Sequence, residues 1–158
     1  MFKVMFVCHG NICRSPMAEF VFTDILKKRG LPEGKITVSS CATSTEEIGN
    51  DIHPGTRRIL EKYGIKFARR SAVQLERSDY EKYDLFVGMD TANVRNMHRI
   101  FGSDPKEKIT KLLDFTTTPR DVADPWYTGD FELTYRDILR GCEALYSYLK
   151  NEKKRFEN

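Results

Sequence analysis

Apolar positions along the chain switch between two spacings. Lys3–Val7 is a short, nearly continuous apolar run of β-forming residues and reads as a buried strand. Beyond a polar loop, Ser15 and Pro16 stand in the order of an N-cap and a first helical residue. Ala18, Val21, Phe22, Ile25 and Leu26 then recur at the spacing of one helical face. Lys27, Lys28 and Arg29 suit the last turn of that helix, and Gly30 ends it. The alternation continues more weakly. Lys35–Ser40 alternates as a strand, and Pro54–Gly64 sets Ile59, Leu60 and Tyr63 on a helical face. Asp84–Met89 is another short strand, and Asp90 caps a helix running through Val94, Met97 and Phe101 to Gly102. Lys108–Leu113 is a fourth strand whose charges mark a less buried edge. Asp130–Lys150 is a long helix with Ile138, Cys142, Leu145 and Leu149 on one stripe. Strands alternating with helices predict an α/β fold with a parallel sheet and right-handed crossovers. The charged tail 151–158 is expected to fray.

Composition narrows the picture. A chain of 158 residues fits one domain spanning residues 1–158, and shows no repeat, low-complexity tract or linker. Four cysteines are too few for a disulfide scaffold, so a reducing, cytoplasmic setting is expected. The N-terminal apolar run ends too early for a signal peptide, and no stretch nears the roughly 18 apolar residues of a membrane span. A net charge of +3 permits anionic ligands without marking a nucleic-acid binder. Arg57-Arg58, Arg69-Arg70 and Lys153-Lys154-Arg155 read as solvated faces. His9, His53 and His98 have no metal-ligand spacing, so neither metal nor other cofactor is expected.

The first loop carries the chemistry. In a parallel sheet, ligands bind beyond the strand C-termini. Here a strand ends at Cys8, Arg14 follows six residues on, and a helix N-terminus comes next. Gly10 and Asn11 both tolerate positive φ and can turn successive N–H groups inward as an anion nest. The helix terminus adds positive field, and Arg14 can fork onto two phosphate oxygens. Such surroundings favour a reactive thiolate, so Cys8 is a candidate nucleophile aimed at phosphorus. A cysteine and arginine at this spacing arise by chance in roughly one such chain in four, and strand-end cysteines are often plain core residues. The agreement of strand, Gly-Asn turn and Ser-Pro helix start makes the whole string far more specific.

The segment Val7-Cys8-His9-Gly10-Asn11-Ile12-Cys13-Arg14-Ser15-Pro16 closely resembles the signature of the low-molecular-weight protein tyrosine phosphatases. The likeness extends, in order, to Val38-Ser39-Ser40, Gly88-Met89-Asp90 with Asn93, and Asp124-Pro125-Trp126-Tyr127. It implies a four-stranded parallel sheet of flavodoxin-like order 2-1-3-4 with helices on both faces. It also implies a metal-free cysteinyl-phosphate mechanism acting on phosphotyrosine in proteins and on small aryl phosphates. Asp124 fits the general acid that a departing phenolate needs, with Pro125 fixing the backbone and Trp126 and Tyr127 as flat walls. Without the first loop, a plain Asp-Pro turn would explain that segment better. The resemblance implies that Ser15 helps the thiolate and that Asn11 holds the loop with Ser40 as partner. It also implies a reversible disulfide between Cys13 and Cys8, for which the rationale is capture of a sulfenate; plain packing beneath the loop is the alternative. Cys142 reads as core, and Cys41 has no role. The chain is expected to be a monomer, with weak self-association open.

Two positions depart from the family pattern. Glu46, followed by Glu47, stands where many members place an aromatic cleft wall. Arg70-Ser71 occupies the neighbourhood of a histidine that supports the first loop elsewhere, so that network must differ. His9 is the variable loop position and is expected at the rim. Competing readings remain. Thiol-dependent arsenate reductases need relay cysteines, and none lies between Cys41 and Cys142. Protein-arginine phosphatases carry threonine where this loop has Ile12, whose branched apolar side chain favours an aryl group. Phosphocysteine carrier domains lack the Asp-Pro acid. A module that only binds phosphorylated ligands would not need both Cys8 and Asp124.

Overall fold

A computed structural model describes residues 1–152. The expectation for the tail therefore falls, from residue 153 onward, outside the described residues. Four strands form one parallel sheet: β1 (Phe2–Cys8), β2 (Ile36–Ala42), β3 (Leu85–Gly88) and β4 (Ile109–Lys111). Their order is β2-β1-β3-β4. The helices are α1 (Arg14–Lys28), α2 (Pro54–Lys62), α3 (Asp79–Lys82), α4 (Thr91–Phe101), α5 (Pro125–Thr128) and α6 (Phe131–Asn151).

β1 is buried on both faces, as a central parallel strand must be, and its side chains alternate between two cores. Val4, Phe6 and Cys8 face a core built with α1, α2 and α6, where Phe6 meets Phe22 edge-on at 5.8 Å. Met5 and Val7 face the other core, with Phe86, Met97 and Phe101 under α4. Each fully buried side chain of the size of Phe22 or Ile138 contributes roughly 1.5–3 kcal/mol over its exposed state.

The differences from the sequence expectations have local causes. The fourth strand stops at Lys111, and Leu112–Phe115 tightens into a 3-10 turn that buries Leu112 and Leu113 completely. Alternation fails there because both leucines face inward. Gly141 of α6 lies directly over this turn, and a Cβ there would stand 2.4 Å from Leu112 Cγ. Tyr63 leaves the helical face to cap α2 and stacks on Tyr135 at 4.1 Å. The N-cap of α1 is Cys13, not Ser15, and α1 begins at Arg14. Asp124 caps a short helical turn, α5, that begins at Pro125. Strand order reverses between β1 and β3, so their C-terminal ends flank the crevice where such sheets bind ligands.

Candidate active site

The loop from Cys8 to Arg14 closes on itself around the Cys8 sulfur. Asn11 takes φ +58°, the left-handed conformation that asparagine tolerates. Gly10 does not, and space is what it supplies: a Cβ there would stand 3.3 Å from Glu47 Cγ. The turn aims the N–H groups of Asn11 and Ser15 at Cys8 Sγ, at 3.3 and 3.4 Å. The Ser15 hydroxyl lies 3.0 Å from the same sulfur. Released from capping the helix, that hydroxyl accepts from Asn11 Nδ2 at 2.8 Å, which leaves its proton for Cys8 or for the Cys41 carbonyl.

Asn11 is fully buried and holds the loop to its surroundings. Its Nδ2 also donates to Ser40 Oγ at 2.9 Å, and Ser40 donates to Glu19 at 2.6 Å. Its Oδ1 accepts from the Val73 N–H and from Arg70, which donates to the Asn11 carbonyl as well, at 2.6 Å. Arg70 thus braces the loop and does not lie on the solvated face that its place beside Arg69 suggests. Burial pushes the Glu19 carboxyl up, and the Ser40 hydrogen bond and the Arg70 charge only partly offset it. Burial likewise lowers Arg70, against the pull of Glu19 and Asp51.

Arg14 is 3% exposed and sits between two loops. Its Nη1 donates to the Val122 carbonyl at 3.1 Å. Its Nη2 lies 2.9 Å from Asp90 Oδ2 and 3.3 Å from Asp124 Oδ2. Burial works against its charge, but Cys8, Asp124 and Asp90 outweigh it and hold the guanidinium above its usual range. Asp124 caps α5 by accepting from the Trp126 N–H at 3.0 Å. Trp126 and Tyr127 are 72% and 84% exposed, so they stand as walls and not as core. The cleft, about 430 Å³, is lined by Cys8, His9, Gly10, Ile12, Cys13 and Arg14, with Glu46, Asp124, Trp126 and Tyr127 around them. Glu46 pairs with His9 Nε2 at 3.0 Å across the rim.

The cysteines separate by environment. Burial first, then the charges of Cys8 and Asp124, pushes the Cys13 thiol up to about 12. Cys41 and Cys142 are buried, and burial raises both thiols. All four are free thiols. Among the described residues, no cluster of His, Cys, Asp or Glu is placed to hold a metal ion, and no helix is long and apolar enough to cross a membrane.

Sequence reasoning missed Asp90 as a site residue. It read as a helix cap, and it does close a capping box with Asn93, yet its other oxygen holds Arg14. Its place at the end of β3, beside the crevice, was the available signal. For Glu19 and Arg70 as loop supports, no local signal exists.

The family model for low molecular weight phosphotyrosine protein phosphatase matches residues 3–155. The chain belongs to that family. The phosphatase is 41% identical to the low molecular weight protein-tyrosine-phosphatase YfkJ of Bacillus subtilis, over 97% of this chain and 99% of the relative. It is 39% identical to PtpA of Staphylococcus aureus strain MRSA252, over 94% of each chain. The crystal structure of YfkJ superposes with a TM-score of 0.92 over 97% of both chains. That of SP-PTP from Streptococcus pyogenes, 37% identical, gives 0.84 over 99% of this chain and 100% of the other.

Proposed function

We propose that this phosphatase hydrolyses phosphotyrosine in proteins, and small aryl phosphates, through a phosphoryl group carried on Cys8 and without a metal. One observation carries the reading: Cys8, Arg14 and Asp124 share one cleft, with the Arg14 and Asp124 side chains 3.3 Å apart although they stand 110 positions apart in the sequence. In the first step the Cys8 thiolate attacks phosphorus in line. The S–P bond forms as the P–O bond to the aryl group breaks, and Asp124 gives its proton to the departing phenolate. Loop N–H groups and Arg14 hold the equatorial phosphoryl oxygens as charge shifts. In the second step water attacks phosphorus, Asp124 takes its proton, and the S–P bond breaks to release phosphate and the thiolate. The Ser15 hydroxyl, 3.0 Å from the sulfur, steadies that thiolate in both attack and departure.

Ile12 lines the cleft and favours an aryl group over a phosphorylated guanidinium. The exposed Trp126 and Tyr127 supply flat surface for the same ring. The need for a free Cys8 thiolate suits a reducing cytoplasmic setting, and the chain is read as a monomer that binds neither nucleic acid nor membrane.

The test is turnover of matched phosphotyrosine, phosphoserine and phosphoarginine peptides, with EDTA present and absent. Phosphotyrosine should be hydrolysed fastest, EDTA should not matter, and Cys8→Ser should abolish the reaction. Activity that survives Cys8→Ser would remove the covalent step, and faster turnover of phosphoarginine would move the enzyme to another substrate class.

A further inference from the structure

The segment leading to Asp124 has no regular secondary structure, yet it is bolted to α6. Ala123, the residue just before Asp124, has both backbone groups taken by side chains of that helix. Its N–H donates to Asp137 Oδ2 at 3.0 Å. Its carbonyl accepts from Thr134 Oγ1 at 2.8 Å. Thr134 and Asp137 are three residues apart and so lie on one helical face. They are 0% and 3% exposed. Arg120, three residues upstream of Ala123, completes the bracket by donating from both terminal nitrogens to the two Asp137 oxygens. Val122 is held separately, its N–H on the Met89 carbonyl at 2.9 Å and its own carbonyl on Arg14.

A buried carboxylate with a bidentate partner adds little net stability, because desolvation consumes most of the attraction. What this one supplies is position. With Ala123 pinned at both ends of its backbone, the Cα of Asp124 is fixed relative to α6 and the core beneath it. Proton transfer to a leaving oxygen is sensitive to just this placement: an error near 1 Å costs on the order of 10²-fold. Arg14, by contrast, keeps two anchors besides Asp124, the Val122 carbonyl and Asp90, and neither contact involves Thr134 or Asp137.

We propose that Thr134 and Asp137 are positioning residues for the proton transfer by Asp124, acting through the backbone of Ala123; the proposal rests on Asp124 being the general acid. The experiment compares kcat/KM on dinitrophenyl phosphate, whose phenolate leaves unassisted, with phenyl phosphate, whose phenolate needs the proton. Wild type, Thr134→Val, Thr134→Ser, Asp137→Asn and Asp124→Asn are measured together. Thr134→Val and Asp137→Asn should each slow phenyl phosphate by about tenfold, a fraction of the full misplacement penalty, and leave dinitrophenyl phosphate within about twofold. Thr134→Ser, which keeps the donor, should restore the rate. Equal losses on both substrates, or no loss on either, would overturn the positioning role while Asp124→Asn still discriminates between them. If Asp124→Asn itself does not discriminate, the acid assignment falls first and the positioning role with it. Should Asp137→Asn fail to fold, the near-isosteric pair Thr134→Val and Thr134→Ser decides the matter alone.

Discussion

Removing the Arg70 guanidinium tests whether the substituted support network holds the phosphate loop. In Arg70→Met the side chain keeps much of its length but loses its hydrogen bonds to the Asn11 carbonyl, the Asn11 amide oxygen and the Asn50 carbonyl. Asn11 Oδ1 retains the Val73 N–H at 3.2 Å, so the main loss falls on the buried Asn11 carbonyl. Hydrogen bonds to a charged group contribute about 1.5–3 kcal/mol each, and partial exposure of Arg70 calls for the lower end. Two such bonds on Asn11, less what water recovers, give a cost of about 2–3 kcal/mol. For a chain of this size that lowers Tm by roughly 5–10 °C.

Function should suffer in a specific way. Asn11 sits in a left-handed conformation at φ +58°, which its hydrogen bonds sustain. Relaxation there moves the Asn11 N–H off Cys8 and disturbs the phosphoryl cradle, not the acid. Aryl phosphates of good and poor leaving groups should therefore slow alike, by about 10–100-fold in kcat/KM, with inorganic phosphate inhibiting less well. Arg70→Lys should recover only part, since an ammonium cannot reproduce the planar fork. An Arg70→Met enzyme with kcat/KM and phosphate inhibition unchanged at a lowered Tm would refute the argument, because Arg70 would then be structural only.

Two further expectations follow from the same neighbourhood. Burial holds the Glu19 carboxyl above its ordinary value, so the folded chain binds that proton more tightly than the unfolded chain. Its contribution to stability is then present below the unfolded value of about 4.3 and is lost as pH rises through the folded one. Glu19→Gln keeps an acceptor for Ser40, so its Tm should gain progressively on wild type as pH rises above the unfolded value of about 4.3, and parallel curves would count against the assignment. Cys13, held protonated at neutral pH, should be dispensable for turnover in Cys13→Ala. That variant should recover less activity than wild type after peroxide followed by thiol, and equal recovery would remove the protective disulfide with Cys8.

Legibility in the sequence followed the range of the interactions. β1 and α1 could be read because a buried strand, a Gly-Asn turn and a capped amphipathic stripe are local patterns. The boundary at Ser15 was misplaced by the same locality. A serine before proline favours an N-cap by propensity, but here the hydroxyl gains more by turning to Cys8 and Asn11. The end of β4 was overextended because alternation of charge and apolar residues cannot reveal that α6 comes close enough at Gly141 to cover Leu112, with Leu113 buried beside it in the same turn.

The sequence by itself determined the alternation of strands and helices, the loop that aims backbone N–H groups at Cys8, and the resemblance that points to Asp124. The first two rest on neighbours a few residues apart, where propensity and spacing speak directly, and the third on motifs matched in order along the chain. Only the tertiary structure decided that Arg14 lies between Asp90 and Asp124, that Arg70 holds Asn11 directly while Glu19 holds it through Ser40, and that α6 grips the residue before Asp124. Those pairings join side chains brought close by sheet order and helix packing. Nothing in the sequence surroundings of Glu19 or Asp137 distinguishes them from charges on a solvated face.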